Sequence, residues 1–190
     1  MYGVQGWGIW FAASSTGIFV GGALVATKGL GKNPIRTMLL MVTAIGAISA
    51  LFTIREWGWL FVAGLWLTMA LMPAVEAAEQ TVIQRVVPYE KQGRVFGFAM
   101  TFEAASAPIT ALLIAPLAEL WIIPAFQSEP RQETWSWLLG TGDSRGIALI
   151  MLTAGLACIL LAAAALRTPQ YKLLTKQYAG AKEPEPQPEG

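Results

Sequence analysis

Histidine is absent from these 190 residues, and cysteine occurs once. The first absence excludes imidazole-based acid–base catalysis, and together they leave no zinc-ligand set and no disulfide framework. Charge is scarce as well. Only 13% of the residues are Asp, Glu, Lys or Arg, about half of what a globular domain carries. A chain that is 55% hydrophobic and so poor in charge cannot cover a water-facing surface with polar groups, so the bilayer is its expected solvent. A net charge of +1 gives no pull towards nucleic acid. No Lys or Arg precedes the first apolar run, and no small-residue cleavage site follows a short one, so no cleavable signal is expected.

What is present is a series of apolar runs of membrane-spanning length, roughly 20 residues each. They cover Gly6 to Thr27, Thr37 to Ile54, Trp57 to Val75, Val95 to Glu119 and Gly146 to Leu166. The runs show no alternation of period two, which argues against a barrel, and helices satisfy their own backbone in lipid. The expected fold is therefore an all-α integral membrane bundle of five transmembrane helices. It spans residues 1–178, and a disordered Pro/Glu-rich tail follows over 179–190.

Lys and Arg set the expected orientation. If the helices alternate, Lys28, Lys32, Arg36, Arg85, Lys91, Arg94, Arg167, Lys172 and Lys176 share one side, against Arg55, Arg131 and Arg145 on the other. The first set marks the cytoplasm, which places the N-terminus outside and the C-terminus inside. Trp7, Trp10, Trp57, Trp59, Trp121, Trp135 and Trp137 map to the outer side, where an indole finds both apolar chains and a partner for its N–H; Trp66 lies deeper. The tight turn at Arg55-Glu56 makes helices two and three antiparallel neighbours. The outer segment 122–144 includes "ETWSWLLG", which reads equally as a short interfacial helix or as an amphipathic loop.

Several motifs stand at the helix ends. In the first helix Gly17, Gly21 and Gly22 form a small-residue stripe suited to close helix packing. The loop "KGLGKNP" after it lacks the Gly-Lys-Ser/Thr ending of a phosphate-binding loop. Glu76, Glu79, Gln80 and Gln84 recur at helical spacing and predict that helix three continues beyond the membrane until Pro88 stops it. Gly93-Arg94 is expected to open helix four, with Arg94 placed to pair with Glu90 or a neighbouring carboxylate. These charges equally suit a plain water-facing surface.

"VVPYEKQGRVFG" resembles the cytoplasmic loop before the eleventh helix of drug-exporter-like transporters of the major facilitator superfamily. "GGALVATKGLGKN" resembles that superfamily's loop motif after the eighth helix, with Lys28 as the basic residue, Gly31-Lys32 as the Gly-Lys pair and Thr27 standing where the motif has Asp. The resemblance covers about Gly6 to Leu166. It implies that the five helices correspond to the eighth to twelfth of a twelve-helix transporter, a C-terminal half whose first and fourth helices meet a missing N-terminal half. It further implies a secondary transporter working by alternating access in a bacterial inner membrane. The implied substrate is a small amphipathic molecule, exported against a proton gradient.

Glu103 lies inside the fourth run. Nine residues past Arg94 is about 13 Å, near the middle of the hydrocarbon layer, where a charge costs about 2.5–3.5 kcal/mol on insertion scales. Ser106 and Thr110 follow at three and seven residues and share its helix face, while Pro108 and Pro116 can bend the helix. Two roles stay open for this stripe: proton or substrate coupling, or a neutral carboxyl bonded to a neighbouring helix. An enzyme is not expected. Glu103 and Glu119 stand sixteen residues apart, roughly 24 Å along a helix, too far for an acid–base pair. No metal or cofactor site is legible. The alternative to a transporter is a non-transporting membrane assembly or scaffold subunit.

Overall fold

The computed structural model describes residues 4–51, 57–117, 119–120, 124 and 145–181. Among the described residues there are six helices and no strand: α1 (Val4–Lys28), α2 (Pro34–Leu51), α3 (Gly58–Val86), α4 (Tyr89–Leu117), α5 (Arg145–Arg167) and α6 (Pro169–Gly180). The first five are long and apolar enough to cross a membrane.

The helix ends follow from local chemistry. Helix α2 starts at Pro34 rather than Thr37, because Asn33 caps it: the Arg36 N–H donates to Asn33 Oδ1 at 3.1 Å, and proline suits the first helical position. Helix α3 continues past the apolar run to Val86, and Pro88 follows its end as expected. Helix α4 begins at Tyr89, so Gly93 and Arg94 lie inside it and do not open it. Glu90 in its first turn complements the positive end of the helix dipole, and the Lys91 N–H closes that turn on the Pro88 carbonyl at 2.8 Å. Helix α6 was not anticipated from the apolar runs. Thr168 caps it, its Oγ1 accepting from the Tyr171 N–H at 3.3 Å, with Pro169 at the first position. Ala179 and Gly180 complete its last turn; the rest of the expected tail, 182–190, lies outside the described residues, as do Arg55, Glu56 and "ETWSWLLG".

Four helices pack side by side in the order α1, α3, α2, α5. Helices α1 and α3 run parallel: Trp7 meets Phe61 with ring centroids 5.6 Å apart, and Gly21 meets Ala70 further along. Helices α2 and α5 run antiparallel, with Gly46 against Cys158 and Ala50 against Gly155. Both ties of α6, to Asn33 at the start of α2 and to Arg85 at the end of α3, put those two ends together. Helices α2 and α3 are therefore antiparallel neighbours, as the short connection implies.

Small residues make both outer crossings. A methyl on Gly17 would sit 2.5 Å from the Trp66 carbonyl oxygen, and one on Gly155 would sit 2.5 Å from that of Gly46. Close backbone approach of this kind supplies van der Waals contact where lipid leaves no hydrophobic gain. The buried stripe of α1 is Ser14, Gly17 and Gly21, at positions three and four apart. Gly22 faces open space. The part of the glycine stripe formed by Gly17 and Gly21 is taken by α3, the close helix packing that the stripe suits.

Candidate functional site

Helix α4 stands apart. Among the described residues its only substantial contact is with α3, and none of its apolar window is buried. The shared turn holds the two together: the Gln92 side-chain amide donates to the carbonyls of Gln84 and Val87, each at 3.0 Å. Beyond that turn Phe98, Met100, Phe102, Ile109, Leu112 and Leu113 are exposed, with Phe98 and Phe102 in ring contact at 5.5 Å.

Glu103, Ser106 and Thr110 fall on this helix and share its face, and all three are exposed. The Ser106 hydroxyl donates at 2.6 Å to the backbone carbonyl of Glu103, one turn back, and Thr101 does the same to Gly97 at 2.7 Å. Such bonds keep a hydroxyl satisfied in an apolar medium. Pro108 lacks the N–H that the Ala104 carbonyl would otherwise receive, so an acceptor is freed beside Glu103. The stripe thus combines a carboxyl, a free backbone acceptor and small side chains on a helix that, among the described residues, meets only α3.

The loop-motif residues stand at the end of α1 and at the start of α4. Lys28 ends α1, and the Gly29 N–H bonds to the Val25 carbonyl at 2.8 Å. Gly29 and Gly31 have φ of 68° and 74°, a conformation that a side chain would strain. Thr37 Oγ1 donates to the Leu30 carbonyl at 2.8 Å and fastens the loop to α2. Lys28, Lys32 and Arg94 are exposed, as are Glu76 and Glu79 on α3 and Pro88 and Gly93 at the α3–α4 turn. Among the described residues Arg94 makes no ion pair with Glu90 or another carboxylate.

Among the described residues Arg85 is a well-held cation. Its guanidinium donates to the Ala181 carbonyl at 3.2 and 3.4 Å and to the Tyr178 hydroxyl at 3.4 Å, and lies 4.5 Å from the Tyr178 ring centre. Asn33 Nδ2 donates to the Tyr171 hydroxyl at 3.4 Å. One short helix thereby ties the start of α2 to the end of α3. The sequence carried a signal for it in Thr168-Pro169 followed by Tyr171, Leu174 and Tyr178 at helical spacing. The basic loop ends therefore lie together, and Trp7, Trp57 and Trp59 mark the far ends of α1 and α3.

Compared with known proteins, the chain matches no family model, no curated protein and no solved structure. Among the described residues no group of His, Cys, Asp or Glu could hold a metal ion.

Proposed function

We propose that this chain is the C-terminal portion of a secondary active transporter, an efflux permease for small amphipathic molecules that works by alternating access with a second membrane half. The observation that carries the reading is the length of α4, with Glu103 on it, that no other described helix covers. A carboxyl exposed on a lipid-facing helix is costly, and the cost is removed if a second set of helices encloses that face around a polar path. Helix α4 is the surface that the second half would cover. The exporter-like loop motifs around Lys28, Gly31, Lys32, Pro88, Gly93 and Arg94 support the same reading. In it the basic end faces the cytoplasm of a bacterium, the C-terminus is inside, and Glu103 exchanges a proton or contacts substrate.

The test is efflux from proteoliposomes. The chain alone is expected to be inactive, and the chain reconstituted with its complementary half is expected to export with a pH-dependent rate that Glu103→Gln changes. Export by the chain alone would refute the need for a second half. An unchanged rate and pH profile in Glu103→Gln would refute the coupling role.

A second reading is a scaffold subunit without transport. It is favoured by the Ser106 hydroxyl, which is spent on its own backbone and leaves a smooth small-residue surface suited to helix docking. Co-purification of a stable partner with no effect of Glu103→Gln would select it.

A further inference from the structure

The basic end of the bundle is unevenly charged. Helices α1, α2, α5 and α6 contain no Asp or Glu. At this end, they and the loop between α1 and α2 carry Lys28, Lys32, Arg36, Arg167, Lys172 and Lys176, all exposed. The carboxylates described here, Glu76, Glu79 and Glu90, stand on α3 and α4, and α3 lies on the far side of α2 from α5. The α2–α5 edge therefore holds positive charge that no neighbouring acid offsets.

Two of these cations stand level. The α2–α5 contact sets Gly46 against Gly155 and Cys158. Arg36 comes ten residues before Gly46, and Arg167 comes nine residues after Cys158. In an antiparallel pair these steps run the same way, so the two arginines reach the same height within about one turn. They also share a side. At about 100° per residue, Arg36 and Leu40 lie about a quarter turn round α2 from the line of Gly46 and Ala50, and Arg167, Leu160 and Leu156 lie about a third of a turn round α5 from Gly155 and Cys158. The rotational sense is the same along each chain, and in an antiparallel pair that brings both sets to one side. Below the arginines this side is apolar: Leu40, Leu160 and Leu156 are 45%, 69% and 48% exposed. Among the described residues neither guanidinium makes an ion pair.

We propose that this side of the α2–α5 pair binds one anionic phospholipid, with its phosphate between Arg36 and Arg167 and its acyl chains along Leu40, Leu156 and Leu160. Packed helix axes stand about 8–10 Å apart, a gap that two arginines close from either side of a phosphate. The guanidinium fork matches phosphate oxygens. Lys32 and Lys172 flank the Asn33–Tyr171 contact at the same end and add to the positive field. A soluble anion would use the cations and gain nothing from the leucines, whereas a lipid uses both. The site involves neither α4 nor Glu103 and stands whether or not the chain transports anything.

The experiment is native mass spectrometry of the full chain released from detergent micelles, titrated with dioleoylphosphatidylglycerol or with dioleoylphosphatidylcholine, which has the same chains and no net charge. Wild type is expected to bind the first phosphatidylglycerol at least about tenfold more tightly. Arg36→Gln and Arg167→Gln are each expected to cut that preference about fivefold, the worth of one basic residue at an anionic surface. Lys28→Gln with Lys91→Gln removes two charges elsewhere at the same end and is expected to leave the preference within about twofold of wild type. Glycerophosphoglycerol, the headgroup without chains, is expected not to compete. Equal binding of the two lipids by wild type would overturn the proposal. A preference retained in either arginine variant, eluting as wild type does, would place the lipid elsewhere and overturn the site. An equal loss in the lysine pair would reduce the effect to overall charge, and competition by the free headgroup would make it a soluble-anion site; either result overturns the lipid reading.

Discussion

Gly21 of α1 lies so close to Ala70 of α3 that a methyl group added to the glycine would land on the Ala70 carbonyl. Gly17 stands one turn earlier against Trp66, while Gly22, next in sequence, meets nothing within 4 Å. Adjacent glycines on one helix thus have opposite duties, and the difference is open to measurement. Gly21→Val is expected to destabilise the bundle by about 1–3 kcal/mol through overpacking. Gly22→Ala is expected to be neutral or to stabilise by up to about 1 kcal/mol through helix propensity. Denaturant unfolding of the two variants in mixed micelles compares them, and equal behaviour would contradict the α1–α3 crossing.

The crossing of α2 and α5 makes a parallel prediction. A methyl on Gly46 would stand 2.8 Å from the Gly155 carbonyl oxygen and 3.1 Å from Cys158 Cβ. Gly46→Val is expected to lower stability by about 1–3 kcal/mol, and adding Cys158→Ala is expected to recover little of it, because the backbone contact persists. A double-mutant cycle on unfolding free energies checks this. Full recovery in the double variant would mean that the cysteine, and not the backbone, sets the limit.

Arg85 should control α6. Arg85→Ala removes the donors to Ala181 and Tyr178 and the ring contact, and amide exchange over 171–180 is expected to speed up about tenfold, the loss of one charge-assisted bond. Tyr178→Phe keeps the ring beneath the guanidinium and is expected to have a smaller effect. Hydrogen exchange read by mass spectrometry decides the matter, and protection unchanged in Arg85→Ala would show that α6 is held by other contacts.

The two ends of the bundle should face opposite sides of the membrane. On a Cys158→Ala background, single cysteines at Gln177, near the basic end, and at Trp57, near the aromatic end, are expected to react with an impermeant maleimide from opposite sides. Under the proposed orientation Trp57→Cys reacts in intact cells and Gln177→Cys only in inverted vesicles. Labelling of both from one side would overturn the alternating topology.

Glu103→Leu bears on the membrane cost of α4. If the carboxyl meets lipid in the isolated chain, the substitution is expected to favour insertion of α4 by about 2.5–3.5 kcal/mol. The inserted fraction of an α4 reporter, scored by glycosylation of flanking sites, measures it. Equal insertion of the two forms would remove the cost on which the need for a partner rests.

Composition and the length of the apolar runs determined that this chain is helical and made of segments able to cross a bilayer, because in lipid a strand edge or an open loop has nowhere to place its backbone polar groups. Pro88 fixed the end of α3 for an equally local reason: the missing N–H and the ring act on the preceding turn whatever surrounds it. Spacing along one helix also placed Glu103, Ser106 and Thr110 on one face. Which glycine meets a neighbour was not local. Gly21 and Gly22 are the same residue type one position apart, and only the approach of α3 distinguishes them. The same holds for Ser14, whose hydroxyl is orphaned because α3 covers it, and for Arg85, whose partners stand more than ninety positions further along the chain. Local rules act through the backbone within a few residues. The side-by-side order α1, α3, α2, α5, with α4 outside it, depends on which small-residue surfaces fit together, and only the assembled structure carries that information.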